Sequence, residues 1–195
     1  LSAQINPHFL YNTLDTIVWM AEFNDSKRVV EVTKSLAQYF RLALNQGHEQ
    51  ISLRDEIDHV RQYLFIQKQR YGDKLQYEIE EDESIADYKL PKLVLQPLVE
   101  NAIYHGIKEI DRQGMIRVTS TVEEGKLLLS IYDNGRGFDV NASMDATLLR
   151  LGGVGLKNVD QRLRLQFGDD YHMEIQSEPD KFTQISLYLP LVTDD

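Results

Sequence analysis

The run Glu100-Asn101-Ala102-Ile103-Tyr104-His105-Gly106 decides the fold when taken with two later blocks, Asp133-Asn134-Gly135-Arg136-Gly137 and Gly153-Val154-Gly155-Leu156-Lys157-Asn158. The first ends an apolar stretch from Pro91 to Tyr104 in which Val94, Leu95, Leu98, Val99, Ala102 and Ile103 make one wide face, the pattern of a buried helix. The second follows a strand rich in Leu and Ile. The third opens a helix that runs to about Phe167. Five of the eleven glycines, Gly135, Gly137, Gly152, Gly153 and Gly155, lie within 21 residues. Glycine lets the backbone approach a ligand and take positive φ, so this cluster suits a phosphate cradle; on the glycines alone a flexible surface loop fits equally well. No Gly-Lys-Ser/Thr follows, which excludes a Walker A loop, and Gly153-Val154-Gly155 lacks the third glycine and preceding strand of a dinucleotide fingerprint.

Working outward, Met115 to Val122 and Lys126 to Tyr132 read as a strand pair turned at Glu123-Glu124-Gly125. Met173 to Ser177 and Phe182 to Leu189 close the chain as two more strands. Before the helix, Leu75, Tyr77 and Ile79 alternate with polar residues as a strand does, and Glu80 to Asp87 reads as an acidic loop. Strands with interspersed helices predict a mixed sheet covered by helices on one face.

The first 72 residues read as three helices, because apolar residues recur at spacings of three and four: Leu10, Leu14, Ile17 and Ala21; Val29, Thr33, Leu36, Phe40 and Leu44; Leu53, Ile57, Val60, Leu64 and Tyr71. Breaks fall at Asn24-Asp25-Ser26 and Gln46-Gly47-His48, and Ser52 is the expected N-cap of the third helix, with Asp55 and Glu56 in its first turn. A single hairpin cannot cover apolar residues on more than one face, so a homodimeric four-helix bundle is expected. The chain is thus α+β, divided into helices over 1–72 and an α/β sandwich over 73–195.

Charge separates the same two parts. The 195 residues carry 21 Lys plus Arg against 31 Asp plus Glu, a net charge of −10; residues 1–72 carry 8 of each sign, so the whole excess lies in 73–195. This acidity excludes broad phosphate neutralisation of a nucleic acid. The absence of cysteine excludes disulfide scaffolds, thiolate zinc sites and Cys nucleophiles. No apolar run is long enough to span a membrane. The chain begins on Leu1 rather than Met and reads as a fragment whose membrane anchor would lie upstream.

The three blocks, in this order and spacing, resemble the N, G1 and G2 boxes of the GHKL (Bergerat) ATP-binding fold shared by histidine kinases and gyrase-type ATPases. The resemblance implies ATP and Mg²⁺ as ligands. Asn101 then corresponds to the residue whose oxygen completes the Mg²⁺ shell, and His105 could donate to a phosphate. Asp133 corresponds to the acceptor for the adenine amino group, beside its plainer reading as an Asx-turn residue. Gly135 and Gly137 would bring the loop to the base, and Gly153, Gly155 and Leu156 would bring backbone N–H groups to the phosphates. Residues 138–152 match the position of the ATP lid.

A second motif runs Gln4-Ile5-Asn6-Pro7-His8-Phe9-Leu10-Tyr11-Asn12-Thr13-Leu14. Asn6 as N-cap and Pro7 at the first position describe any helix start. The run is nevertheless similar to the phosphoacceptor segment of the YesM/LytS-like sensor histidine kinases, and the resemblance extends through essentially the whole chain. It implies that His8 takes the γ-phosphoryl group of ATP, that Asn12 could orient its ring, and that a response-regulator aspartate is the next acceptor. It also implies a homodimer forming the cytoplasmic part of a bacterial membrane sensor. The larger histidine kinase families place an acid directly after the histidine; here Phe9 stands there, which leaves Glu100 as a candidate base. Pro97 occupies the position of the water-activating glutamate of gyrase-type ATPases. A serine kinase or ATPase on the same fold, or a non-catalytic docking module, are the alternatives.

Overall fold

The computed structural model describes residues 6–44, 49–140, 146–147, 151 and 154–191. Helix α1 (Pro7–Glu22) starts as the sequence predicts, with the Asn6 side chain accepting from the His8 N–H at 3.0 Å and Pro7 in the first turn. Asp25 caps α2 (Ser26–Ala43) through the Arg28 N–H, so two helices connected by a few residues form a hairpin. A short strand β1 (Gln50–Ser52) leads into α3 (Leu53–Tyr71), capped by Ser52 through the Asp55 N–H at 3.1 Å. The expected break at 46–48 lies outside the described residues.

The α/β part comprises β2 (Leu75–Glu81), β3 (Lys89–Pro91), α4 (Leu95–Asn101) continued by a π-helical segment Ala102–Ile107, β4 (Gly114–Glu123), β5 (Lys126–Asp133), α5 (Val154–Phe167), β6 (His172–Glu178) and β7 (Phe182–Pro190). The main sheet has the order β2-β4-β5-β7-β6, with β2 parallel to β4 and the other pairs antiparallel, so it is mixed as predicted. A separate antiparallel pair joins β1 to β3. Val118, Leu129, Ile131, Ile185, Leu187 and Leu189 point from the sheet into a core shared with α3, α4 and α5.

Three expectations change. The stripe of α1 is rotated: Phe9, Thr13 and Met20 are buried while Leu14 is exposed, and in α2 the inward residues are Val32, Leu36, Tyr39 and Ala43. Apolar residues occupy more than one face of these helices, so spacing alone could not say which face turns inward. The helix expected from Pro91 begins at Leu95, because Pro91 pairs in β3 and Leu93 takes φ 59°. Glu80 and Glu81 belong to β2 rather than to a loop; the strand stays in register with Thr119 and Ser120, and Arg61 pairs with Glu81 at 2.6 Å. Helix α3 is buried on several sides, with Leu53, Ile57, Val60 and Leu64 inside as expected and Glu56, His59, Tyr63 and Gln67 buried as well. It packs chiefly on α2 and also against α4 and β2, so one apolar core runs from Phe9 to Leu189.

Candidate functional site

Helix α4 has no side-chain cap in its own sequence. The buried Glu56 carboxylate of α3 supplies one, accepting the N–H groups of Leu93 at 3.0 Å and Leu95 at 2.8 Å and that of Val94 between them. An anion at these orphan donors is favourable, but burial raises the Glu56 carboxyl above the ordinary range in spite of them. At Ala102 the helix widens to π hydrogen bonding, with the Lys108 N–H reaching Ile103 O at 2.9 Å. Such widenings recur at functional sites. Asn101 and His105, which the sequence places on one helical face, remain together across the change of register, and both line the two cavities described below.

Strand β5 ends on Asp133, buried at 3% exposure. Its Oδ1 accepts from the Gly135 N–H at 2.9 Å, so the Asx turn of the plainer reading is present. The same side chain lines a cavity of about 400 Å³ with Asn101, His105, Gly106, Gly137, Phe138 and Thr183. The Asx-turn reading of Asp133 is thus observed, and the same residue stands at the wall of a cavity. Desolvation by the surrounding apolar core pushes its carboxyl up to about 7.

The close approach that glycine permits is largely internal. A Cβ on Gly135 would lie 2.4 Å from the backbone of Gly106, and one on Gly106 would lie 2.4 Å from Asp133 Oδ1. Gly137, at φ 55°, would meet the Glu178 carbonyl at 2.0 Å. The loop is thus seated on the α4 continuation and on the β6–β7 turn. Arg112, unremarked in the sequence, fastens it: Nη2 donates to the carbonyls of Asn134 (2.6 Å), Gly135 (3.0 Å) and Asp180 (3.0 Å). Gly106 was visible only as the end of its block.

A second cavity of about 230 Å³ shares Asn101, His105 and Leu151 with the first and adds Pro97, Glu100, Tyr104, Gly155, Leu156 and Asn6. Leu156 is buried in the first turns of α5. A Cβ on Gly155 would make only an ordinary 3.6 Å contact with Pro97, so packing does not demand glycine there. Gly153 and most of the expected lid lie outside the described residues. Asn101 Oδ1 is buried without a hydrogen-bond partner. Glu100 accepts from Gln96 Nε2 at 3.1 Å and burial raises its carboxyl. His8 is exposed two residues after Asn6, and Asn12 is half-buried one turn later; neither lines either cavity. Arg162 donates to the Lys92 carbonyl at 2.7 Å; among the described residues, Arg136, paired with Glu109, brings a cation to the lining of the 400 Å³ cavity.

Behind Glu100 and Tyr104, α3 presents His59, Tyr63 and Gln67, spaced by four residues and buried. His59 stacks on Tyr39 with ring centres 4.4 Å apart, and desolvation lowers it to about 4, so it packs as a neutral ring. Nothing in the spacing of apolar residues signalled this polar stripe.

Two family descriptions cover the chain: "Histidine kinase" matches residues 1–75, and "Histidine kinase-, DNA gyrase B-, and HSP90-like ATPase" matches residues 86–193. The chain belongs to the histidine kinase family. It is 36% identical over 190 residues to sensor histidine kinase YesM of Bacillus subtilis and 38% identical over 190 residues to sensor histidine kinase BtsS of Escherichia coli. In each case 97% of this chain and 32% of the relative are covered, so the chain spans about a third of the length of these curated relatives. The fold is that of the histidine kinase domain of the Erythrobacter litoralis EL346 blue-light activated kinase, at a TM-score of 0.55, 16% identity, and coverage of 96% of this chain and 90% of that one. Membership of this family implies ATP binding. No helix among the described residues is long and apolar enough to cross a membrane.

Proposed function

We propose that the chain transfers the γ-phosphoryl group of ATP to His8 and from there to an aspartate of a response regulator. The observation that carries the reading is the sharing of Asn101, His105 and Leu151 by two adjoining cavities, one ending at Asp133 and the other at Asn6, the N-cap residue of the helix that bears His8. Adenine at Asp133 would direct the phosphates past Asn101 toward that helix start. Imidazole is neutral and nucleophilic near pH 7, so its nitrogen can form the N–P bond as the bond to the β-phosphate oxygen breaks and ADP leaves. Glu100 is the candidate to accept the imidazole proton, burial making it more basic than an ordinary carboxylate.

Asn101 fits Mg²⁺: its Oδ1 is a hard oxygen donor, buried and without a protein partner, on a residue that lines the cavity. When bound there, the ion would offset the charge of the phosphates, which an acidic domain cannot attract in bulk. By role we divide the chain into acceptor helices over 1–72 and a nucleotide-binding part over 73–195, acting as the catalytic portion of a longer sensor. Self-association is supported by the apolar side chains that α1 leaves exposed, Tyr11 at 65%, Val18 at 57% and Trp19 at 55% among them.

The test is label from γ-labelled ATP. It is expected to be acid-labile and base-stable and to vanish in His8→Gln; label that survives acid or survives the substitution overturns the acceptor assignment.

A further inference from the structure

We propose that phosphoryl transfer runs within a single chain, from its own nucleotide to its own His8, and that Phe9 is the positioning residue that presents the histidine. The inference rests on the acceptor reading above and adds which subunit supplies the ATP.

His8 stands between a residue at a cavity wall and a residue anchored in the core. On one side, Asn6 lines the smaller cavity together with Glu100, Asn101 and His105 of the same chain, while its side chain holds the His8 N–H at 3.0 Å. On the other, Phe9 is buried at 2% exposure, its ring 4.9 Å from Tyr39 on α2 and 4.8 Å from Tyr63 on α3. Tyr63 is the buried residue behind Tyr104 and Glu100, and both of these act on its hydroxyl electrostatically. The first turn of α1 is therefore anchored on its own chain by Phe9, Asn6 stands at the wall of the nucleotide-side cavity, and His8 is exposed between them.

Helical geometry places residues two apart within about 6 Å, so the His8 backbone lies beside the cavity that Asn6 enters. Phe9 occupies the position of an acid in the larger families, yet here it faces away from solvent into an aromatic nest. Its role is that of an anchor, not a base. Self-association need not disturb this docking: at about 100° per residue, Tyr11, Leu14 and Val18 fall opposite Phe9, Thr13 and Met20 on α1.

Two arms test the proposal. His8→Gln chains, which keep the nucleotide site, are co-expressed with Asp133→Asn chains, which keep the acceptor, and the differently tagged pair is purified together and given γ-labelled ATP. Transfer within one chain predicts no label above that of either variant alone, while a pair of parent and His8→Gln/Asp133→Asn chains labels at about half the parent level. Label on the Asp133→Asn chain overturns the proposal and leaves the acceptor reading standing; an unlabelled parent overturns both. In the second arm, Phe9→Ala is expected to lower kcat for His8 labelling at least tenfold with KM for ATP within twofold, and Phe9→Tyr or Phe9→Leu to recover most of the rate. Unchanged kcat in a folded Phe9→Ala protein, or a loss confined to KM, removes the positioning role.

Discussion

The Glu56 carboxylate, in the first turn of α3, caps the start of α4 by accepting the Leu95 N–H at 2.8 Å, with Leu93 and Val94 donating beside it. Two helices that are 39 residues apart at these positions are thereby fixed end to side, and the helix so fixed carries Glu100 and Asn101. Leaving a buried donor unsatisfied costs about 1–3 kcal/mol. Glu56→Ala orphans three, and a loss of about 3 kcal/mol or more is expected in urea unfolding. Glu56→Gln, with one acceptor oxygen and a misplaced NH₂, should fall between that variant and the parent.

Asp133 links stability to pH. Its carboxyl is pushed from 3.8 to about 7 by burial, so folding retains a proton that the unfolded chain releases near pH 4. The group's contribution to stability is full below that point, declines as pH rises to about 7, and is level above. Asp133→Asn escapes the decline, so its stability relative to the parent should be greater at pH 8 than at pH 5. Nucleotide binding should run the other way. If, as proposed, the adenine amino group donates to the ionised carboxylate, affinity in the parent rises from pH 6 to 8 and is lost in Asp133→Asn. Calorimetric titrations and urea melts at the two ends of this range check both signs.

Asn101→Ala removes the buried oxygen that has no protein partner. We expect stability within about 1 kcal/mol of the parent, since no protein hydrogen bond to that oxygen is lost. The affinity gain that Mg²⁺ confers on ATP binding should fall at least tenfold. Titrations with and without a chelator separate this from a general loss of nucleotide.

Gly106 and Gly155 should respond oppositely to alanine. In an ordinary helix alanine gains up to about 1 kcal/mol over glycine. At Gly106 the new Cβ would meet Asp133 Oδ1 at 2.4 Å, and overpacking of that kind costs about 1–3 kcal/mol. Gly106→Ala is therefore expected to lower the melting temperature and to displace Asp133 from nucleotide. Gly155→Ala has room, with its nearest neighbour at 3.6 Å, and should leave stability unchanged or slightly higher. Any loss of ATP affinity in Gly155→Ala would then report on the ligand, not the fold.

Arg112→Ala frees the carbonyls of Asn134, Gly135 and Asp180. KM for ATP should rise several-fold with kcat little changed, and Arg112→Lys should recover only part, because an ammonium cannot reproduce the planar geometry of a guanidinium. A change in kcat alone would show that the loop matters to transfer and not to base binding.

The helices, the strand pairs and the identity of the three blocks were legible because each rests on a local rule: periodicity, capping or turn chemistry. Ser52 and Asn6 cap the helices they precede, and Lys126 to Tyr132 pairs with its neighbour in sequence. What escaped had no local signature. Glu56 reads as a first-turn acid of its own helix, and its partners lie on another. His59, Tyr63 and Gln67 interrupt the apolar spacing of α3 without showing what they face, and Arg112 and Gly106 act through backbone groups of a distant loop.

By itself the sequence determined the fold class, the order along the chain of the five strands of the main sheet and the residues that resemble a nucleotide site, because these follow from near neighbours and from a motif order. The tertiary structure alone decided which faces of α1 and α2 turn inward, that one core joins α3 to the sheet, and that Asn6 meets Asn101 across a shared cavity. Such contacts depend on which apolar surfaces are buried together, and burial is set by the sum over the whole chain rather than by any segment of it.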